Sequence, residues 1–256
     1  MTVVVAFLCS DGVVIAADSM ITPSIGTTNA GQVSTGHHKG QKIHVVSGPQ
    51  LLAWAGDVGQ ANRFQVKADS LGPLIAGQAH PLDHALLLSQ ELVDQFISTG
   101  IQNNIGVQAV IAYEHGGQAH CCAYLSNVQP WLLDQSQFFV ALGSGKLSAD
   151  PFLRFLYDVF CQGQQPTVQE AVFLATWTVQ YTIETNPGGV AGPIKVGVME
   201  RNAGGQWAAR EISEDAIREH EEAIEDAYQA LRDWRDNLQA PEPDEDVPAK
   251  PEPPAA

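Results

Sequence analysis

The second residue of the chain, Thr2, carries a side chain that can act as a nucleophile once Met1 is removed. The chain begins MTVVVAFLCSDGVVIAADS, and threonine is small enough for an aminopeptidase to remove the methionine before it. The product has a free α-amine beside a β-hydroxyl. An α-amine with a pKa of roughly 7.7–8.0 is partly neutral near pH 7 and can take the hydroxyl proton. Alternatively, Thr2 only begins a strand.

Two charged residues are expected near Thr2. Asp18 ends an apolar run that is antiparallel to the run after Thr2, and hairpin geometry brings that end close to the chain terminus. Lys42 begins the next apolar run, KIHVV, and a cation near a hydroxyl stabilises its ionised form. In the alternative interpretation, Asp18 bonds its own turn and Lys42 is solvated.

Short strands and helix pairs alternate along the sequence and must position these residues. The predicted strands cover 2–9, 13–17, 42–47, 51–55, 106–113, 118–125, 138–142, 194–200 and 206–210. The predicted helices cover 57–76, 81–102, 151–161 and 167–184, and residues 20–40 are predicted as a loop. The order ββααββααββ indicates an α+β fold with two layers of sheet and helices outside, because each apolar sheet face must be covered.

The C-terminal region differs from the rest in composition. A cap at Ser213 and apolar residues at seven-residue spacing predict an amphipathic helix over 213–240, which packs on its own domain or at a subunit interface. Residues 241–256, PEPDEDVPAKPEPPAA, are Pro-rich and acidic and predict a disordered tail. Of the 29 acidic residues, 15 lie in 211–256, so the acidity is concentrated there.

Composition argues against several classes of function. The net charge of −16, without clustered Lys and Arg, argues against a nucleic-acid partner. No apolar run approaches the ~20 residues of a membrane span, so no membrane partner is expected. The four cysteines lack CxxC spacing and scaffold density, which favours a cytoplasmic location. His37 and His38 have no third ligand at metal spacing, so neither a metal nor another cofactor is expected.

Five motifs occur in a characteristic order: DGVVIAADS, KIHVV, LLAWAGD, ALGSG, and the GG of NPGGVAG before IKVGVM. In this order they resemble a proteasome β-type subunit of the N-terminal-nucleophile hydrolase superfamily, over roughly residues 2–200. The Met-Thr start resembles, more narrowly, the bacterial proteasome homologues that lack a propeptide. The resemblance implies a four-layer αββα sandwich, an N-terminal-nucleophile domain over residues 1–212 and stacked rings of identical subunits.

The resemblance also implies a role for each matching residue. Thr2 would be the nucleophile with its own amine as general base, Asp18 would orient the network, and Lys42 would lower the pKa of the hydroxyl. Gly56 in AWAGD would supply the backbone N–H of an oxyanion hole, because glycine lets the backbone approach the substrate. Ser144 in GSG would bond the amine, although GSG alone is also a tight turn.

Other positions depart from the family or leave a choice. Glu184 and Pro187 in IETNPGG stand where the family has Asp and Ser. Glu184 keeps the charge and is assigned to the catalytic network, whereas Pro187 lacks a hydroxyl and an N–H. Lys42 is assigned rather than Lys39 because a strand follows it. Trp54 would line the base of the pocket for the side chain before the scissile bond and predicts small or moderate side chains there; alternatively, it is a core residue.

The leading hypothesis is a self-compartmentalising threonine peptidase that hydrolyses peptide bonds inside a ring of identical subunits. Its partners would be peptide or protein substrates and further copies of the chain, with an ATPase or other activator left open. One alternative is an amidase of the same class that acts on small amides. A second is a catalytically impaired ring protein with a structural or binding role, which the changes at Glu184 and Pro187 favour.

Overall fold

The computed structural model describes the chain in seven segments. They are residues 2–21, 24–28, 31–34, 38–72, 79–125, 127–186 and 189–239.

The first strands of the chain lie inside a five-stranded antiparallel sheet, here called sheet one. β1 (Val4–Leu8) and β2 (Gly12–Ala17) form the predicted hairpin, with Val4 opposite Ala17. The other strands are β12 (Phe139–Leu142), β13 (Lys195–Arg201) and β14 (Trp207–Glu211). The order across the sheet is β12-β1-β2-β13-β14, so β1 and β2 each have a neighbour on both edges.

A second five-stranded antiparallel sheet, sheet two, carries the middle of the chain. Its strands are β7 (Ile43–Val46), β8 (Gln50–Gly56), β9 (Val107–His115), β10 (Gln118–Tyr124) and β11 (Pro130–Leu132). The order is β11-β10-β9-β8-β7, and Gly56 at the end of β8 pairs with Val107. The three-residue strand β11 was not predicted, because it is too short to show alternation.

The segment predicted as a loop over 20–40 contains four strands, and that prediction is wrong. β3 (Met20–Ile21) pairs with β6 (His38–Lys39), and β4 (Ser24–Thr28) pairs with β5 (Gly31–Ser34). The segment is rich in Gly, Ser, Thr and Asn. It therefore lacks the apolar alternation by which a half-buried strand is recognised.

Helices cover the outer faces of both sheets. The helices are α1 (Val58–Leu71), α2 (Pro81–Ser98), α3 (Lys146–Leu156), α4 (Val168–Thr185) and α5 (Glu214–Gln239). A π-helical turn, Tyr157–Cys161, extends α3. None of the helices in the described segments combines the length and hydropathy that crossing a bilayer requires.

Three buried clusters hold the layers together. One fills the space between the sheets with residues such as Val4, Ile15 and Ala53. A second packs sheet two against α1 and α2, and a third packs sheet one against α3, α4 and α5. Strands covered on both faces read as continuous apolar runs, which explains the buried sequence GVVIAA of β2. The α+β, four-layer αββα expectation is thus confirmed.

The last helix is only partly covered by the rest of the fold. Ser213 Oγ accepts a hydrogen bond from Ala216 N at 3.2 Å, which caps α5. Ile224 is fully buried, whereas Leu231 and Leu238 are 55% and 65% exposed. The predicted disordered tail, 241–256, lies outside the described residues.

Candidate active site

Three of the predicted site residues stand at neighbouring strand ends. Thr2 lies two residues before β1, Asp18 directly follows β2, and Lys42 directly precedes β7. Because Val4 pairs with Ala17, the start of β1 and the end of β2 are adjacent. The three residues are 8%, 1% and 1% exposed, respectively, so the fold buries a polar cluster at the edge of the inter-sheet core.

Lys42 connects the other two residues of this cluster. Its Nζ donates hydrogen bonds to Thr2 Oγ1 at 2.9 Å and to Asp18 Oδ1 at 2.7 Å. Burial lowers the pKa of the Lys42 ammonium below its ordinary value, and the attraction and hydrogen bond of Asp18 oppose that fall. A cation held this close to a hydroxyl favours its ionised form.

Asp18 is held by backbone donors on both sides of the hairpin. Its Oδ1 accepts from Val3 N at 2.9 Å, and its Oδ2 accepts from Met20 N at 3.1 Å. With the Lys42 contact, the buried carboxylate has three donors, as a buried charge requires. Asp18 therefore fixes the position of Lys42 beside the hydroxyl of Thr2.

The nitrogen of Thr2 faces the loop between β12 and α3. It donates to Ser144 Oγ at 3.2 Å, while Gly145 N donates to Thr2 O at 3.0 Å. Gly143 has φ +83°, and a Cβ there would lie 2.3 Å from Thr2 O. Removal of Met1 converts the nitrogen of Thr2 from a peptide nitrogen into an amine, so the loop surrounds the group that would act as the base.

Gly56 forms a corner beside this loop. Its φ is +102°, and a Cβ there would lie 1.9 Å from Gly106 O, so the position requires glycine. The preceding residue, Ala55, has its Cβ 3.1 Å from where a Cβ of Gly143 would lie. The end of β8 therefore lies against the loop that contacts Thr2. This is the strand end at which the resemblance predicts an oxyanion hole.

Glu184 does not join this cluster. Its side chain is exposed on α4 and accepts a hydrogen bond from Gln180 Nε2 at 3.2 Å, one helical turn away. The neighbouring amide of Asn186 instead donates to Ser148 Oγ at 2.8 Å. Because α4 continues to Thr185, the helical phase turns Glu184 outward. Pro187 lies outside the described residues.

Trp54 is buried on the opposite face of β8 from Ala53 and Ala55. It is 3% exposed and packs in the cluster between sheet two and the helices α1 and α2. Its indole N–H donates to His44 Nε2 at 3.3 Å. Burial lowers the pKa of His44, which favours the neutral ring that can accept this bond. This burial agrees with the core interpretation and leaves the proposed pocket role untested.

The remaining candidates stay apart from the cluster. Lys39 lies in β6 with an exposed side chain, as does His38, while His37 lies outside the described residues. Within the described part of the chain, no group of three or more His, Cys, Asp or Glu side chains is arranged to hold a metal ion.

Two glycines and one glutamine of the site were not singled out by sequence analysis. Gly143 and Gly145 flank Ser144 in the motif ALGSG. The sequence therefore contained the signal for these glycines, although only Ser144 was assigned a role from that motif. Gln108 accepts a hydrogen bond from Gly143 N at 2.8 Å through its Oε1. It lies 35 positions earlier in the chain, and nothing in the local sequence marks it.

The chain is an αββα protein in which Thr2, Asp18 and Lys42 form a buried, hydrogen-bonded polar cluster. The sequence matches no family model and no curated protein. Solved Anbu structures share the fold. An Anbu Gly-1 mutant from Hyphomicrobium sp. strain MC1 has a TM-score of 0.66 and 17% identity, covering 96% of this chain and 100% of that chain. Anbu, an ancestral beta-subunit, from Yersinia bercovieri has a TM-score of 0.63 and 16% identity, with coverages of 90% and 96%.

A third similar structure is that of an assembly. It is the helical assembly of the Anbu complex from Pseudomonas aeruginosa, with a TM-score of 0.67, 16% identity, and coverages of 97% of this chain and 98% of that chain. At these identities the likeness establishes the fold of this chain and not its activity.

The expectation that the chain is a proteasome β-type subunit, close to the bacterial homologues without a propeptide, is wrong. The similar structures are Anbu proteins, which are proteasome-like but form a distinct family. The physical reason lies in the motifs that carried the resemblance. They are mainly the strand ends and turns that meet around Thr2, so they report the fold and its site geometry. They cannot separate two families that share the fold.

Proposed function

We propose that this protein is a threonine-type peptidase that uses Thr2 as its N-terminal nucleophile after Met1 is removed. The observation that carries the proposal is the position of Lys42 Nζ, 2.9 Å from Thr2 Oγ1. The 3.2 Å hydrogen bond between Thr2 N and Ser144 Oγ supports it from the other side. The nucleophile, its cation and the surroundings of its amine are therefore assembled before any substrate binds.

The reaction begins with proton transfer from the Thr2 hydroxyl to the Thr2 amine, directly or through a water. Oγ1 then attacks the peptide carbonyl carbon, and the electron pair of the carbonyl moves onto its oxygen. The Gly56 N–H stabilises that oxyanion. When the tetrahedral intermediate collapses, the C–N bond breaks and the ammonium returns the proton to the leaving amine. Water releases the acyl group from Oγ1 by the same steps.

Lys42 and Asp18 act through charge and position in this scheme. The ammonium stabilises negative charge that develops on Oγ1 during attack. Burial lowers the pKa of Lys42, and the ion pair with Asp18 opposes that fall and so favours the charged ammonium. Asp18 is in turn fixed by the backbone N–H groups of Val3 and Met20. The pair is thus preorganised and needs no rearrangement as charge develops.

We also propose that the protein works as a homo-oligomer in the cytoplasm, with its sites facing an enclosed space. Leu231, Trp234 and Leu238 form an exposed apolar stripe on α5, and exposed apolar surface of this kind marks contact sites. The similar structure from Pseudomonas aeruginosa is a helical assembly of the Anbu complex, which also supports an oligomeric state for this chain.

A second candidate function is that of an assembly-forming protein with impaired catalysis. The observation that favours it is the exposed position of Glu184, whose carboxylate accepts a hydrogen bond from Gln180 on its own helix. An amidase for small amides is the third alternative, and a monomeric state in solution would favour it.

The test is hydrolysis of a fluorogenic peptide panel by the purified protein and by its Thr2→Ala variant, with the oligomeric state measured by light scattering. Turnover by the wild type that is lost in Thr2→Ala supports the peptidase. Equal turnover by both proteins would exclude Thr2 as the nucleophile. An oligomer without turnover on any peptide would favour the impaired protein, and a monomer that cleaves small amides would favour the amidase.

A further inference from the structure

The loop of Gly143, Ser144 and Gly145 fits around Thr2 at three points. Ser144 Oγ accepts from Thr2 N at 3.2 Å, and Gly145 N donates to Thr2 O at 3.0 Å. A Cβ at Gly143 would lie 2.3 Å from Thr2 O, so the backbone itself contacts the threonine. The placement of Ser144 at the amine therefore depends on where this loop lies.

A side chain from the other sheet holds one end of the loop. Gly143 N donates to Gln108 Oε1 at 2.8 Å. Gln108 lies in β9 of sheet two, whereas the loop follows β12 of sheet one. The bond therefore crosses from one sheet to the other. It ties Gly143, whose φ of +83° is accessible to glycine together with many other conformations, to a central strand of sheet two.

The backbone of Gln108 contacts the other side of the site. In the register of β8 and β9, Gln108 pairs with Ala55, and the next residue along β8 is Gly56. One residue thus adjoins the corner that would supply the oxyanion donor and, through its side chain, the loop that carries Ser144. Two parts of the site that are distant in sequence share this residue.

We propose that Gln108 is a positioning residue that holds the loop of Gly143, Ser144 and Gly145 against Thr2 and thereby maintains the hydrogen bond between Ser144 and the Thr2 amine. The proposal rests on the proposed function of Thr2 and goes beyond it by assigning a residue that touches neither the nucleophile nor the amine.

Loss of this support has a chemical consequence with a definite sign. Ser144 Oγ accepts a hydrogen bond from Thr2 N. After removal of Met1 this nitrogen is an amine, and an acceptor stabilises its protonated form. When the acceptor moves away, the amine becomes neutral at lower pH. The charged groups beside Thr2 are Lys42, which donates to its hydroxyl, and Asp18, which is paired with Lys42. Lys146 pairs with Asp150 and donates to Ala141 O, and Glu184 accepts from Gln180. The acidic limb of the rate profile should therefore move to lower pH.

Three variants separate positioning from general damage. Gln108→Leu removes the acceptor for Gly143 N, whereas Gln108→Glu keeps an acceptor at the same reach. Gln118→Leu is the matched control, because Gln118 is exposed at the start of β10 and distant in sequence from the loop. Hydrogen exchange, read by mass spectrometry on peptides that cover 138–146, reports the loop without requiring activity. The rate of reaction with a threonine-directed β-lactone from pH 5 to 9 reports the amine.

We expect Gln108→Leu to exchange faster over 138–146 and to react about tenfold more slowly, which is the loss expected for one buried hydrogen bond. Its acidic midpoint should fall. Gln108→Glu should keep loop protection, and Gln118→Leu should match the wild type in both readouts. Wild-type exchange, rate or midpoint in Gln108→Leu would overturn the inference. If the wild type itself does not react, the proposed function fails, and exchange alone decides whether Gln108 holds the loop.

Discussion

The side-chain nitrogen of Lys42 lies 2.9 Å from the hydroxyl oxygen of Thr2, and the same nitrogen is paired with the Asp18 carboxylate at 2.7 Å. All three side chains are almost fully buried. A hydroxyl placed beside a fixed cation, in a site with little water to screen the charge, is poised to carry negative charge. This relationship supports catalysis more strongly than it supports stability, because buried ion pairs contribute little net folding energy.

Replacing Lys42 by methionine should affect activity and stability separately. We expect peptide hydrolysis to fall at least about 100-fold, as for loss of a preorganised electrostatic group. Asp18 would remain buried without its partner, which costs about 3–5 kcal/mol. The double variant Lys42→Met with Asp18→Asn should recover part of the free energy of unfolding, measured in urea, but no activity. Activity near the wild-type level in either variant would show that Lys42 is a structural cation only.

Replacing Gly56 by alanine should damage both the fold and the site. A Cβ there would lie 1.9 Å from Gly106 O at φ +102°, so the corner must move and carry its N–H with it. We expect activity to fall about 100-fold. Gly100→Ala is the matched control. Gly100 also has a positive φ, +73°, but a Cβ there would meet nothing within 4 Å. The substitution should therefore cost only about 1 kcal/mol of folding free energy. The free energy of unfolding in urea and the rate of peptide hydrolysis are measured for both variants. Equal losses in Gly56→Ala and Gly100→Ala would contradict the predicted clash at Gly56.

Replacing Glu184 by alanine should leave activity within about twofold of the wild type, because an exposed bond to Gln180 on the same helix is worth little. Peptide hydrolysis measured across pH 6–9 checks this. A fall of tenfold or more would restore the role that the sequence assigned to Glu184 and would mean that α4 changes its ending when the site is occupied.

Acid should weaken the fold through His84. Its ring is fully buried, and neither nitrogen has a hydrogen-bond partner among the described residues. Burial lowers the pKa of His84 from 6.5 to about 4. The stability due to the neutral ring is therefore present above about pH 6.5 and is lost as the pH falls toward 4. The loss amounts to about 3 kcal/mol.

His84→Leu removes this dependence. The difference in free energy of unfolding between the variant and the wild type should grow in favour of the variant from pH 7 to pH 4.5. A difference that does not change with pH would contradict the assignment. The comparison subtracts the groups that titrate independently of His84, whereas the charge of His115, which also lowers the pKa of His84, is part of the measured difference.

The parts of the site that sequence predicted are those set by local pairing. A two-stranded hairpin at the start of the chain brings Asp18 to the level of Thr2. Lys42 directly precedes β7 of the facing sheet, and the apolar run KIHVV marks that strand start. These relationships follow from strand direction and register, which the apolar runs reveal.

The parts that sequence missed depend on contacts between distant elements or on helical phase. Gln108 meets Gly143 across the two sheets, and no local pattern marks either end of that bond. Glu184 was placed by its spacing from the glycine pair, but spacing carries no information on which way a helix turns a side chain. Trp54 could be placed on a strand, although only the packed layers decide which face it occupies.

Intact-mass spectrometry tests most directly whether Thr2 is a reactive N-terminal nucleophile. The purified protein is weighed before and after incubation with an N-terminal-threonine-directed epoxyketone, and the adduct is located by peptide mapping. The account predicts loss of Met1 and a single adduct on Thr2, absent from Thr2→Ala and strongly reduced in Lys42→Met. Retention of Met1, or its loss without any adduct on Thr2, would contradict the account.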